Sequence, residues 1–536
     1  MSSRAPALGI IFCVLCCCYL PAPSASSAYS AGGDGFLECL SAAMPSNLVF
    51  PRGSPSFASA LASSIRNPKF MGPGTARPLC VATPAASSHV QAAVRCGRRH
   101  GVRLRVRSGG HDLEGLSYRS ERPDEAFAVL DLAGLRAVRV DPSRATAWVE
   151  SGATIGELYY AVGRASDDRL AFPAGLCPTI GVGGHLSGGG FGMLLRKYGV
   201  AADHVLDAVL VDAGGRLLDR DAMGSDVFWA IRGGGGASFG IVLSWQVRLV
   251  PVPPTVTAFK LPVSVDEGAV DVVTRWQTVG PALPDDLFIR VLVQGGVAEF
   301  QSLYLGTCDA LLPVMRRRFP ELGVNRTHCR EMTWLESVPY VYLGEGAAAE
   351  DILNRTTSLA AASKATSDYV REPIARAVWA EIFAAWLAGP GAGLMILDPY
   401  GGEIGGVPEH ATPFPHRAGV LYNIQYMNFW AAGGGDAAAA AGTKWIRDLH
   451  AFMEPHVSKD PREAYFNYRD LGLGENVVVG NVSSYEAGKV WGEKYFKGNF
   501  RRLAIAKAQI DPDDYFRNEQ SIPPLLDAQQ PVVISE

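Results

Sequence analysis

The chain has 536 residues, of which 48% are hydrophobic and 19% charged, and its formal net charge is −4. A balance this near neutrality gives no field for gathering nucleic acid or an anionic membrane, and the length calls for two domains or one composite domain with an insertion. In chain order, Arg4 precedes an uncharged apolar run from Ala7 to Leu20, followed by small residues through Ala25, Ser26, Ser27 and Ala28. That layout predicts a secretory signal peptide over residues 1–28, whose apolar run is too short to span a bilayer.

Ser88 and Gln91 fit a capping box for a helix ending near Gly101, and Thr154 with Glu157 repeat the device for a second helix. β-like runs are read at Phe127 to Leu132, Ala145 to Val149 and Val205 to Val211, the last followed by a turn at Asp212 to Gly215 and a short strand. From Phe239 to Leu249, Ile241, Leu243, Trp245, Val247 and Leu249 alternate onto one predicted face, up to a proline cluster at 251–254. That cluster is the first expected domain boundary. Beyond it, strands are expected at Leu287 to Gln294 and Val420 to Phe429, among amphipathic helices. Ala431 to Gly442 is too small-sided for a core and reads as a loop or a frayed helix start.

If the signal is removed, six of the ten cysteines stay in an oxidising compartment: Cys39, Cys80, Cys96, Cys177, Cys308 and Cys329. Parity alone allows three disulfides. Cys308 and Cys329 would close a short loop of the kind a disulfide stabilises. The sequons at Asn325, Asn354 and Asn481 mark expected glycosylation sites on an exported chain.

Three glycine clusters set the chemistry: "RSGGH" at 107–111, "CPTIGVGGHLSGGG" at 177–190 and "RGGGGASFG" at 232–240. Separate loops could explain each one, but a large flat or phosphate-bearing cofactor pressed against bare backbone explains all three together. No strand leads into a dinucleotide fingerprint, the Walker pattern is missing, and the histidines lack metal-ligand spacing, so the metal assignment is none.

Those stretches, with "DPYGG", "PFPHRAG", "NYRDLGLG" and "YFRNEQSIPP", resemble the plant berberine bridge enzyme-like family, and within it the group 4 grass pollen allergens. The resemblance spans nearly the whole chain after the signal. It implies an α+β fold with a discontinuous FAD-binding domain of the vanillyl-alcohol oxidase (PCMH) type and an inserted α+β substrate domain on an antiparallel sheet. The boundaries expected are 29–255 for the N-terminal part of the FAD domain, 256–457 for the substrate domain, 458–525 for the returning segment and 526–536 for a tail.

By the same resemblance, FAD is bonded covalently through His111 and Cys177, with Arg107, Ser108, Gly109, Gly110, Ile180, Gly181, Gly184, His185, Gly188, Gly190 and Ile241 around it. A third disulfide remains the other reading of Cys177. Ser108 to Gly110 would bring backbone N–H groups to the pyrophosphate. His185 would stabilise the anionic reduced ring as a donor or cation, or else sit satisfied within a turn. The resemblance also pairs Cys39 with Cys96 and leaves Cys80 over.

Period two on "GVLYNIQYMNFW" sends Asn423, Gln425 and Met427 one way and Tyr422, Ile424 and Tyr426 the other. The resemblance puts Gln425 at the substrate, against a cross-strand hydrogen bond as the plainer reading. It makes Tyr468 a base or a partner of the substrate hydroxyl, although an unperturbed tyrosine with a pKa of ~10 stays protonated at neutral pH. Asn423, Phe191 and Leu113 stand where many relatives carry lysine or tyrosine. Ile180 holds the gate position, which favours an acceptor other than oxygen.

The function expected is a secreted or cell-wall oxidoreductase acting on the CH–OH group of a sugar or related alcohol, passing electrons to oxygen or another acceptor, and open to antibody recognition as an allergen. Two other functions stay open: a flavin-retaining protein with a binding role, and amine oxidation of the cytokinin dehydrogenase kind.

Overall fold

The computed structural model describes residues 25–356 and 361–526. Most of the expected signal peptide and nearly all of the tail lie outside the described residues. The first described helix, Ala25–Ala43, is joined to the helix Ser87–His100 by the disulfide Cys39–Cys96. The latter helix stops at Gly101, whose φ of 67° suits a residue without Cβ. Its expected capping box is not formed, because Gln91 Nε2 is turned outward to donate to Gly215 O at 3.0 Å and Ala86 caps the helix with backbone alone. The Thr154–Glu157 box is formed in both directions, at 3.2 and 2.8 Å.

Two sheets pack beside each other in the N-terminal half. The first has the order Val49–Pro51, Cys80–Ala82, Phe127–Asp131, Arg103–Arg107, and its last three strands run parallel. Strand Arg103–Arg107 delivers the Ser-Gly-Gly-His turn at its carboxyl end, where ligands gather in parallel sheets. The second is antiparallel, in the order Val138–Asp141, Thr146–Glu150, Ile241–Arg248, Val205–Val211, Leu217–Leu218.

In Ile241–Arg248 the expected single apolar face is broken. Val242 pairs with Leu210 and Ser244 with Val209, so Leu243 is an extra, bulged residue. Ile241 and Leu243 therefore pack into the core between the two sheets, while Trp245, Val247 and Leu249 join the larger core on the other side. Cys80 is unpaired and fully covered in that smaller core, where burial pushes its pKa up to about 12.

From Val256 the chain enters a seven-stranded antiparallel sheet in the order Arg330–Met332, Val256–Ser264, Val297–Tyr304, Leu287–Gln294, Leu394–Pro399, Tyr422–Ala431, Ala361–Val370. One face is covered by the helices Ala269–Val279, Cys308–Arg318 and Gly435–Met453, with Trp276, Phe319, Ile424 and Ile446 in the core between. The disulfide Cys308–Cys329 spans 21 positions at this end. The alanine run is helical from Gly435 onward, since alanine has the best intrinsic propensity and Ile446, Leu449 and Met453 anchor the later turns.

The other face of this sheet carries polar residues toward the N-terminal half. After it, helices Tyr485–Phe496 and Asn499–Ile510 return to that half. Buried Lys507 donates to Ser238 O at 2.7 Å, and Tyr515 Oη donates to Val102 O at 3.0 Å.

Candidate active site

The Ser108–His111 turn and the Cys177–Gly181 turn lie against each other backbone to backbone. A Cβ on Gly109 would meet Gly181 N at 2.3 Å and Thr179 O at 2.8 Å, and one on Gly110, at φ 70°, would strike Ser64 O at 1.7 Å. Only glycine permits this approach. The second turn is fixed in turn by the start of helix Ile155–Ala165, whose Ile155 and Gly156 N–H groups donate to Ile180 O at 2.8 Å and Pro178 O at 2.9 Å.

Across the seam, His111 Nε2 lies 2.9 Å from Thr179 Oγ1, and Cys177 Sγ lies 3.4 Å from the same oxygen. Imidazole and thiol thus converge on one hydroxyl. Cys177 is not in a disulfide. Burial, with the Arg66 guanidinium nearby, pushes the His111 pKa down to about 3, so its ring is neutral. The N–H groups of Gly109, Gly110 and His111 have no acceptor among the described residues, which leaves a row of donors at the turn. Gly184, in the short helix Val182–Ser187, is exposed, and a Cβ there would meet nothing within 4 Å.

Other residues expected around the cofactor meet neighbouring protein groups. Arg107 is sealed in the core, where its guanidinium donates to Asp131, Leu61 O and Ala60 O, so it anchors the turn from beneath. Ser108 Oγ donates to Ser151 O at 2.5 Å. Gly188 and Gly190 leave room for Asn467 Oδ1 and for the His185 ring, at 2.0 and 2.5 Å from a hypothetical Cβ.

His185 Nε2 accepts from Gly175 N at 3.0 Å, and burial pushes its pKa down to about 4. It is a neutral ring with its proton on Nδ1, not a cation. Ile180 is half-buried beside the seam, whereas Ile241 is 1% exposed inside the core. Asn423 is completely covered, and its Nδ2 donates to Asp368 O at 3.0 Å, so it stands behind the surface of the site.

The polar sheet face supplies the rest. Asp398 pairs with Asn423, and Ile396 with Gln425, whose amide makes no hydrogen bond among the described residues. The expected outward set, Asn423, Gln425 and Met427, does face away from the Tyr422, Ile424 and Tyr426 core. Tyr468, in a helical turn at Phe466–Tyr468, packs its ring at 4.8 Å from Tyr465 and 6.2 Å from Phe191. Burial, reinforced by the charge of Asp398, holds Tyr468 well above the usual tyrosine range, so it is a neutral hydroxyl and not an ionised base.

Asp398 itself is pushed up to about 6 by burial, against the pull of Arg290. Val291 pairs with Leu397, which brings the preceding Arg290 alongside Asp398. Reasoning from the sequence missed Thr179, Asp398 and Arg290. The only available signal was their position inside quoted motifs for the first two.

The sequons all lie on exposed residues. Asn325 and Asn354 accept from the hydroxyls of Thr327 and Thr356 at 2.7 and 2.6 Å, and Asn481 Oδ1 accepts from Arg517 at 3.2 Å. Asn481 also borders a cleft of about 1170 Å³ with Arg98, Arg103 and Tyr515, and none of the residues expected at the flavin lines it.

Comparison with known proteins fits this geometry. An FAD binding domain model matches residues 78–220, and a "Berberine and berberine like" model matches residues 464–523. Berberine bridge enzyme-like Cyn d 4 from Cynodon dactylon is 60% identical over 525 residues, covering 98% of this chain and 99% of its own length. This chain belongs to the berberine bridge enzyme-like family. Among solved structures, the Bermuda grass isoallergen BG60 matches with a TM-score of 0.89 and 62% identity, covering 91% of this chain and all of its own. Phl p 4, described as a grass pollen allergen with glucose dehydrogenase activity, matches with a TM-score of 0.89 and 58% identity, covering 92% and 100%.

As a berberine bridge enzyme-like protein, the chain is an FAD-binding oxidoreductase with the α+β fold of the vanillyl-alcohol oxidase type. Its residues suit that cofactor. The unpaired amides at 109–111 form an anion cradle, Gly184 leaves open space, and two nucleophilic side chains meet at one edge of it.

Proposed function

We propose that this protein is an exported enzyme that carries FAD bonded through His111 and Cys177 and oxidises a CH–OH group on a sugar or related alcohol. The observation that carries the reaction class is Asp398, a covered carboxyl with a pKa pushed up to about 6 on the sheet face beside Tyr468. A carboxylate of that basicity is matched to taking a hydroxyl proton near neutral pH. The neutral Tyr468 hydroxyl donates to or accepts from the substrate oxygen and passes the proton on to Asp398. Gln425, with its amide uncommitted, orients a neighbouring hydroxyl. Bound FAD supplies the acceptor for two electrons and the carbon-bound hydrogen.

The sugar reading is supported by Phl p 4, which is described as a glucose dehydrogenase. Ile180, at the gate position, favours an acceptor other than oxygen in turnover, because one extra methylene narrows the path in a close-packed interior and makes reaction with oxygen slow. The deciding experiment mixes the purified protein with glucose and other sugars and alcohols without oxygen and follows flavin absorbance near ~450 nm. Bleaching by a sugar is the expected result. A broad panel that bleaches nothing would favour a binding role.

A further inference from the structure

We infer that Thr179 is the positioning residue for both covalent flavin attachments, its one hydroxyl orienting the His111 imidazole and the Cys177 thiol toward the same ring. The inference rests on the proposed double linkage and concerns how this chain arranges it. The hydroxyl is within hydrogen-bond distance of both groups, 2.9 Å from His111 Nε2 and 3.4 Å from Cys177 Sγ.

Thr179 has no freedom to drift, since it is 2% exposed and its carbonyl is pressed against Gly109. Its turn is closed by Ile180 N donating to Cys177 O at 3.2 Å and is tied to helix Ile155–Ala165. A hydroxyl held on two turns at once fixes the angle between them. Arg66 and Tyr342 are the other charged or titratable neighbours of Cys177.

The chemistry needs this order. When Thr179 Oγ1 accepts from Nε2–H, the Nδ1 lone pair of a neutral imidazole is left bare, and it is the nucleophile for the flavin methyl carbon. Forming that N–C bond breaks one methyl C–H bond and releases the Nε2 proton. Two protons leave, and two electrons pass onto the ring and from there to dioxygen, which is reduced to hydrogen peroxide. The sulfur bond balances in the same way, with S–H and a ring C–H lost, an S–C bond gained and two electrons again delivered to dioxygen. Thr179 is consumed in neither step.

The test compares wild type, Thr179→Val and Thr179→Ser by digestion and peptide mass, with flavin release in acid as a second readout. Wild type and Thr179→Ser should carry FAD mass on the linked His111 and Cys177 peptides. Thr179→Val should show about tenfold less doubly linked flavin, the scale of one lost orienting hydrogen bond, with more flavin released by acid. Double linkage in Thr179→Val equal to wild type overturns the inference. If Thr179→Val does not fold, Thr179→Ala replaces it with the same criterion. Loss of linkage in Thr179→Ser matching that in the hydroxyl-free variant also overturns it. Wild-type peptides free of FAD mass would instead overturn the covalent attachment itself.

Discussion

Asp398 combines two demands that oppose each other. Its side chain is almost covered, and burial raises its pKa from 3.8 to about 6. The folded protein therefore binds the Asp398 proton more tightly than the unfolded chain does. This contribution favours folding below pH 3.8 and turns against it as pH rises toward 6, where the folded state must hold a poorly solvated charge. The cost at neutral pH is on the order of 3 kcal/mol. Asp398→Asn removes the charge and keeps the shape, so it should raise stability at pH 7 by roughly 1–3 kcal/mol while slowing substrate-driven flavin reduction by ~10²–10⁴-fold. Urea unfolding and anaerobic stopped-flow on the same preparation measure both. An Asn variant that reduces flavin at the wild-type rate removes Asp398 from the reaction.

At the level of strands, the sheet brings together residues far apart in the chain. Strand Leu287–Gln294 places Arg290 beside Asp398 of strand Leu394–Pro399, whose other neighbour presents Asn423. Tyr400, Tyr465 and Tyr468 face the same carboxyl from their own segments. Arg290 Nε donates to Gln301 Oε1 at 2.9 Å, and no ion pair with Asp398 forms among the described residues, so the guanidinium acts on the carboxyl through its charge alone. Removing that positive charge lets burial prevail. The acid limb of the rate of flavin reduction, near pH 6 in wild type, should move upward by about one unit in Arg290→Gln and return in Arg290→Lys. An unmoved limb in Arg290→Gln would disconnect the two groups.

The same elements explain what could be read from residues in order. Strands Val205–Val211 and Leu287–Gln294 were legible because each is a short run rich in valine, leucine and isoleucine that ends at a glycine-containing turn. The bulge at Leu243 was not, because an inserted residue leaves the local pattern intact and shows only in the partner strand's register. The glycine clusters beside His111 and Cys177 were legible because close backbone approach requires glycine, whereas the two side chains themselves were singled out only by the resemblance. Asp398 gave no such sign, since its basicity comes from burial in the fold, tempered by Arg290 more than sixty residues away, and neither is written in its own stretch of chain.

Across the whole molecule, buried charge holds the parts in register. Lys364, on the outer strand Ala361–Val370 of the large sheet, pairs with Glu114 just beyond the His111 turn and with Asp470 just beyond Tyr468, and Arg447 adds a bidentate contact to Asp470. Lys364, Glu114 and Asp470 are each at most 5% exposed, so removing one partner leaves the other charges in a poorly solvating interior. Against burial, Lys364 and Arg447 hold the Asp470 carboxyl well below its usual range. Glu463, bonded to His416 and Arg371, is likewise lowered from 4.5 to about 2 despite burial.

Carboxylates depressed in this way stabilise the fold fully above their unfolded values and lose that contribution as pH falls through their folded ones. The protein should therefore weaken in acid between pH 4.5 and about 2. Lys364→Met should cost about 3–5 kcal/mol at pH 7 and flatten this acid dependence, because Asp470 is then less depressed. Chemical unfolding at pH 7, and at steps from pH 4.5 down toward 2, measures the stability cost and its acid dependence. A loss at pH 7 below about 1 kcal/mol would mean that the three segments are aligned by apolar packing alone and that the buried network is dispensable.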